Sequence, residues 1–109
     1  MKTGFIGLGL IGGSIAKAIR QYFPESEIVA FDKSRETLAL ATAESVINTA
    51  VTVIDENFKG CDYLFLCTPV IYNSAYLSQI KPFLSEKTIL TDVGSVKTPI
   101  HQEVEKLGL

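Results

Sequence analysis

The sequence predicts an α/β fold, a doubly wound and mainly parallel sheet with helices on both faces, occupying residues 1–109 as one domain. Three observations carry this. Short apolar runs of strand length alternate with stretches whose apolar residues recur every three to four positions, as strands joined by crossover helices do. The clearest run, residues 63–67 (YLFLC), is apolar without alternation, which suits a strand covered on both faces. A chain of 109 residues, 47% hydrophobic and 20% charged, can bury one core; it is too apolar to be disordered and too short for two domains.

The elements follow in order. Residues 2–6 read as a first strand, weakened by Gly4. Residues 10–22 form a helix with Ile11, Ile15, Ala18, Ile19 and Tyr22 on its inward face, and Pro24 punctuates its end. Residues 27–31 are a second strand. Ser34 caps a helix running to about Ala43. Between 44 and 60 the pattern is weaker, with a short third strand at 50–53 and a helical turn at 54–58. After the strand at 63–67, Thr68 and Pro69 read as an N-cap and a first helical residue, where proline gives up only an amide that had no partner. That helix turns Tyr72, Tyr76 and Ile80 inward and must stop near Lys81-Pro82. Residues 88–92 are a fifth strand. Thr98-Pro99 then opens a last helix with Ile100, Val104 and Leu107 inward.

Composition excludes several partners. Net charge is −2 with Lys and Arg scattered, so there is no clustered basic face for nucleic acid. No apolar run is long enough to span a membrane; the first ten residues are broken by Gly4, Gly7 and Gly9. The opening stretch lacks a basic start followed by an unbroken apolar segment, so a cytoplasmic protein is expected. Cys61 and Cys67, with one histidine in the chain, do not make a metal site; Cys67 reads as a buried, reduced thiol.

Gly7-Leu8-Gly9-Leu10-Ile11-Gly12 matches G-x-G-x-x-G, a strand precedes it and a helix opens within it. Asp32 stands twenty residues past Gly12, at the end of the second strand. This is the arrangement of a Rossmann-type dinucleotide-binding unit. Gly7 allows the sharp turn, Gly9 lets the backbone approach the pyrophosphate, and Gly12 lets the helix pack closely on the sheet. The helix N-terminus faces the phosphates. Asp32 would accept hydrogen bonds from the adenosine ribose hydroxyls and repel a 2′-phosphate, so NAD is favoured over NADP. Lys33 and Arg35 argue the other way, since basic residues here can hold a 2′-phosphate. The competing readings are a glycine-rich turn that binds nothing and an Asp32 that merely caps the next helix.

In such a sheet ligands lie outside the carboxyl ends of the strands. Cys67, Thr68 and Pro69 should therefore run beside the cofactor's ribose. Asp92-Val93-Gly94-Ser95-Val96-Lys97 should lie near the nicotinamide, where Ser95 offers a hydroxyl to a substrate or a base, or is an ordinary loop serine. Lys97 reads as a solvated charge. His101 falls in the first turn of the last helix and points away from Ser95.

Three stretches resemble the N-terminal half of prephenate dehydrogenases and the closely similar arogenate dehydrogenases. They are Gly4-Phe5-Ile6-Gly7-Leu8-Gly9-Leu10-Ile11-Gly12-Gly13-Ser14-Ile15-Ala16, Cys67-Thr68-Pro69-Val70 and Asp92-Val93-Gly94-Ser95-Val96-Lys97. The resemblance implies NAD(P)-dependent oxidative decarboxylation of prephenate to 4-hydroxyphenylpyruvate, in tyrosine synthesis. Ser95 matches the family's serine that hydrogen-bonds the catalytic histidine and the substrate hydroxyl. That histidine, in a Gly-x-His-Pro setting, would lie beyond Leu109, and His101 does not match it. The helical domain that completes the substrate site and forms a homodimer is likewise not in this sequence, so the chain alone is expected to be inactive. Two alternatives stay open: the cofactor domain of another hydride-transfer enzyme, such as a β-hydroxyacid dehydrogenase or an imine reductase, and a stand-alone NAD(H)-binding module.

Overall fold

The computed structural model of the protein describes residues 1–93. The sequence-based expectations for Ser95, Lys97, His101 and the last helix fall outside these residues. Five strands form one sheet: β1 (Lys2–Ile6), β2 (Glu27–Phe31), β3 (Thr49–Val51), β4 (Tyr63–Leu66) and β5 (Ile89–Asp92). Their spatial order is β3-β2-β1-β4-β5 and every pairing is parallel. Three helices, α1 (Gly9–Tyr22), α2 (Arg35–Ala43) and α3 (Val70–Ile80), make the crossovers, with 3-10 turns at Glu56–Phe58 and Lys81–Phe83. The doubly wound α/β expectation holds.

Two cores, one on each face, explain why the central strands are apolar without alternation. On one face Phe5, Ile28, Ala30 and Phe65 pack with Leu8 and Ala16 at α1 and Leu38 of α2. Phe5 and Phe65 are paired in register and stack with centroids 5.2 Å apart. On the other face Ile6, Val29, Phe31, Leu64 and Leu66 pack with Phe58 and with Tyr76 and Ile80 of α3. Gly4 belongs to this second face. A Cβ there would stand 2.7 Å from Leu64 Cδ1 and 2.9 Å from Phe58 Cδ1. The glycine that weakens the first strand by propensity is therefore the one that lets Phe58 close over it.

Several boundaries and faces differ from expectation. α1 begins at Gly9, one residue early, and its buried residues are Gly12 and Ala16, with Ile15 and Ile19 partly buried beside them. Ala18 is exposed and Tyr22 is 74% exposed. The helix sits so close to the sheet that small side chains face it, which rotates the inward stripe away from Ala18 and Tyr22. α3 begins at Val70 with Pro69 as its N-cap, φ −54° and ψ 144°, so the cap-and-proline device is displaced by one residue. Proline sets φ but leaves ψ free to stay extended. β4 ends at Leu66, and the third and fifth strands are shorter than expected. Thr88 stands outside β5, and its Oγ1 donates to the Cys61 carbonyl at 2.8 Å. Among the described residues no helix is long and apolar enough to cross a membrane, and no cluster of His, Cys, Asp or Glu could hold a metal.

Candidate functional site

The strand order reverses between β1 and β4, so the chain leaves these neighbours in opposite directions and opens a crevice at their carboxyl ends. Backbone hydrogen bonds carry the sheet into this crevice: Gly7 N donates to Phe31 O at 2.7 Å and Cys67 N to Ile6 O at 2.8 Å. The cleft there has a volume of about 210 Å³. Its walls come from the β1–α1 turn, the end of β2, the β4–α3 loop and α3.

The turn is built on backbone that L side chains rarely adopt. Gly7 has φ +89° and Gly9 φ +47°. Around Gly9 nothing lies within 4 Å of a Cβ position, so the backbone there is open to a ligand. Gly12 lies behind the turn, where a Cβ would be 2.7 Å from the Gly7 carbonyl oxygen and 3.3 Å from Cys67 Cβ. The first α1 amides have no acceptor within the helix, Leu8 supplies no capping side chain, and no acidic residue stands in the first turn. The positive end of the helix dipole therefore faces the cleft uncompensated by side chains of the helix.

Asp32 closes one side. Its Oδ2 accepts from Leu8 N and its Oδ1 from Ser34 N, each at 2.8 Å. A carboxylate offers roughly four acceptor positions, so both oxygens keep capacity for further donors. The α2 cap is Ser34 itself, whose Oγ accepts from Thr37 N at 3.1 Å. Asp32 thus ties the glycine turn to the start of α2 and does not cap that helix.

Of the residues singled out from sequence, Gly7, Leu8, Gly9, Asp32, Lys33, Cys67, Thr68 and Pro69 line the cleft together. Leu10, Ile11 and Gly12 do not: Leu10 is 88% exposed beyond the turn, Ile11 is half-buried and Gly12 is buried behind it. Cys67 is half-buried, not fully buried, with its sulfur beside Gly12; burial, and then Asp92, pushes its thiol up to about 12, so it stays protonated and acts as packing. Phe31, Tyr72 and Tyr76 complete the cleft and were not expected there. The sequence pattern marks the two tyrosines only as a core-facing stripe. The signal for Tyr72 is its place in the first turn of the helix that leaves the β4 end; Tyr76 lies one turn further along the same face.

Known proteins share this fold. The family described as "Prephenate dehydrogenase, nucleotide-binding domain" matches residues 15–109. A cyclohexadienyl dehydrogenase of Zymomonas mobilis is 33% identical over 100 residues, 92% of this chain and 34% of that protein. A prephenate dehydrogenase of Lactococcus lactis is 34% identical over 107 residues, 97% of this chain and 30% of that protein. The chain thus spans about a third of the length of the curated relatives it matches. Among solved structures, the Synechocystis arogenate dehydrogenase matches with TM-score 0.78 and 32% identity over 98% of this chain and 37% of that one. The A. aeolicus prephenate dehydrogenase, in complex with hydroxyphenyl propionate and NAD+, matches with TM-score 0.80 and 28% identity over 98% of this chain and 38% of that one. The chain belongs to the family of prephenate dehydrogenase nucleotide-binding domains.

Proposed function

We propose that this domain binds NAD and serves as the cofactor-binding part of a prephenate-type dehydrogenase, which converts prephenate to 4-hydroxyphenylpyruvate by oxidative decarboxylation. One observation carries the reading. A left-handed, sterically open Gly9 and an anchored Asp32 carboxylate face the same cleft at the switch point of the sheet. The Gly7–Gly12 turn would hold the pyrophosphate through backbone amides, and Asp32 the adenosine ribose. Cys67, Thr68 and Pro69 would run along the nucleotide on the other wall. Bound there, NAD+ supplies the hydride acceptor. Ser95 is the chain's own candidate for contact with the substrate hydroxyl. The remaining machinery, a histidine base and a homodimer interface, is assigned to a separate helical domain. The enzyme so formed would act in the cytoplasm on a small molecule, prephenate or arogenate, without nucleic-acid or membrane partners.

Calorimetric titration with both cofactors tests this. NAD+ should bind more tightly than NADP+. Asp32→Ala should weaken NAD+ binding by about 1–3 kcal/mol, the range for losing hydrogen bonds to a charged group in a partly buried site, and narrow the gap. Equal or tighter NADP+ binding by the wild type would overturn the assignment of Asp32.

A further inference from the structure

Two neighbouring side chains in the cleft have opposite preferences. Asp32 would repel a phosphate on the ribose 2′ oxygen, and Lys33 would attract one. Which of them governs depends on where the Lys33 ammonium is held. Lys33 Nζ lies 4.4 Å from the centroid of the Tyr72 ring and 6.0 Å from that of Tyr76. The inner ring, Tyr76, is itself held in place. Tyr72 and Tyr76 are one helical turn apart on α3, with centroids 6.4 Å apart. Tyr76 is 7% exposed and packs edge-on against Phe31, the last residue of β2, at 5.3 Å. A row of rings therefore crosses from the end of β2 to α3 and meets the side chain that emerges just after Asp32. The backbone around Lys33 is pinned as well, because the Asp32 carboxylate accepts from both Leu8 N and Ser34 N. Among the described residues Lys33 forms no ion pair, so ring faces are the partners of its charge.

We propose that Tyr72 and Tyr76 set the nucleotide preference of this domain by holding the Lys33 ammonium on their rings, which leaves Asp32 to select an unphosphorylated ribose; this role rests on the dinucleotide reading given above. Lysine is a compact charge on a flexible stem, so its position follows whatever attracts it. A cation on a ring face at a partly exposed site is worth about a 2- to 5-fold bias. Removing the outer ring frees Lys33 to meet a 2′-phosphate.

Isothermal titration of the 109-residue chain with NAD+ and NADP+ tests this in four proteins: wild type, Tyr72→Leu, Tyr72→Phe, and Tyr72→Leu combined with Lys33→Gln. Tyr72 is 42% exposed, so its replacement leaves the core closed. Tyr72→Leu should move the ratio of affinities toward NADP+ by about 2- to 5-fold. Tyr72→Phe keeps the ring face and should keep the wild-type ratio. Lys33→Gln in the Leu background should cancel the shift. An unchanged ratio in Tyr72→Leu, or a shift that survives the loss of Lys33, overturns the proposal while the dinucleotide reading stands. A folded wild type that binds neither nucleotide overturns the dinucleotide reading itself, and this role with it.

Discussion

A Cβ built on Gly9 meets nothing within 4 Å, whereas one built on Gly12 meets the Gly7 carbonyl oxygen at 2.7 Å. The same residue type answers two different demands inside one turn. At Gly9 the demand is conformational, with φ +47°, and an alanine there costs about 1–2 kcal/mol of backbone strain. At Gly12 it is space against backbone, which cannot swing aside, and overpacking of this kind costs about 1–3 kcal/mol. Gly9→Ala should therefore stay folded in urea titrations yet lose about tenfold or more in NAD+ affinity. Gly12→Ala should lose stability and, by pushing on Gly7, distort the turn as well. Normal NAD+ affinity in a folded Gly9→Ala protein would remove the phosphate path from this turn. The motif glycines were legible because their spacing is a local pattern. The reason for Gly4 was not, since it lies in Phe58 and Leu64, which come from distant parts of the chain.

At the scale of elements, α1 shows what periodicity leaves open. The 3.6-residue repeat identified the helix and most of its length, but placed Ala18 and Tyr22 inward. The sheet instead selects Gly12 and Ala16, because close approach favours the smallest residues over the most apolar ones. The far end of α1 is fastened by Arg20, which no sequence pattern marked. Its guanidinium donates to the carbonyls of Val46, Pro24 and Ser26 and to Asn48 Oδ1, at 3.3, 2.9, 2.8 and 2.6 Å. Asn48 Oδ1 also accepts from Ile28 N at 2.7 Å, so one fork joins α1, the entry to β2 and the entry to β3. Arg20→Ala should cost about 2–3 kcal/mol in urea denaturation, as hydrogen bonds to a charged group do. Arg20→Lys should recover only part of it, because one ammonium cannot reproduce the planar fork. NAD+ affinity should be unchanged in both variants, since this clamp lies at the amino ends of the strands, opposite the cleft. A large loss of affinity in folded Arg20→Lys would show that the two ends of the sheet are coupled.

At the scale of the whole molecule, the chain should bind NAD+ and yet fail to oxidise prephenate. Removal of a hydroxyl proton as hydride leaves needs a positioned base, which contributes about 10²–10⁴-fold. The chain's one histidine, His101, does not match the family's catalytic histidine, and the cleft's Asp32 is engaged by two backbone amides. The measurement is NADH absorbance with prephenate and NAD+ on this chain, and sustained turnover would refute the assignment of the base to a further domain. By itself the sequence determined, up to their boundaries, the strands and helices of residues 1–93, their parallel arrangement, the glycine turn and the acidic residue after β2. Each of these is written in neighbouring residues, as a period, a spacing or an offset within one strand–helix–strand unit. Only the tertiary structure decided what stands opposite. The strand order β3-β2-β1-β4-β5 sets α3 beside the end of β2, and Tyr72 and Tyr76 thereby meet Lys33 and Phe31. Such contacts join segments far apart in the chain, and no local pattern encodes them, because they exist only once both faces of the sheet are covered.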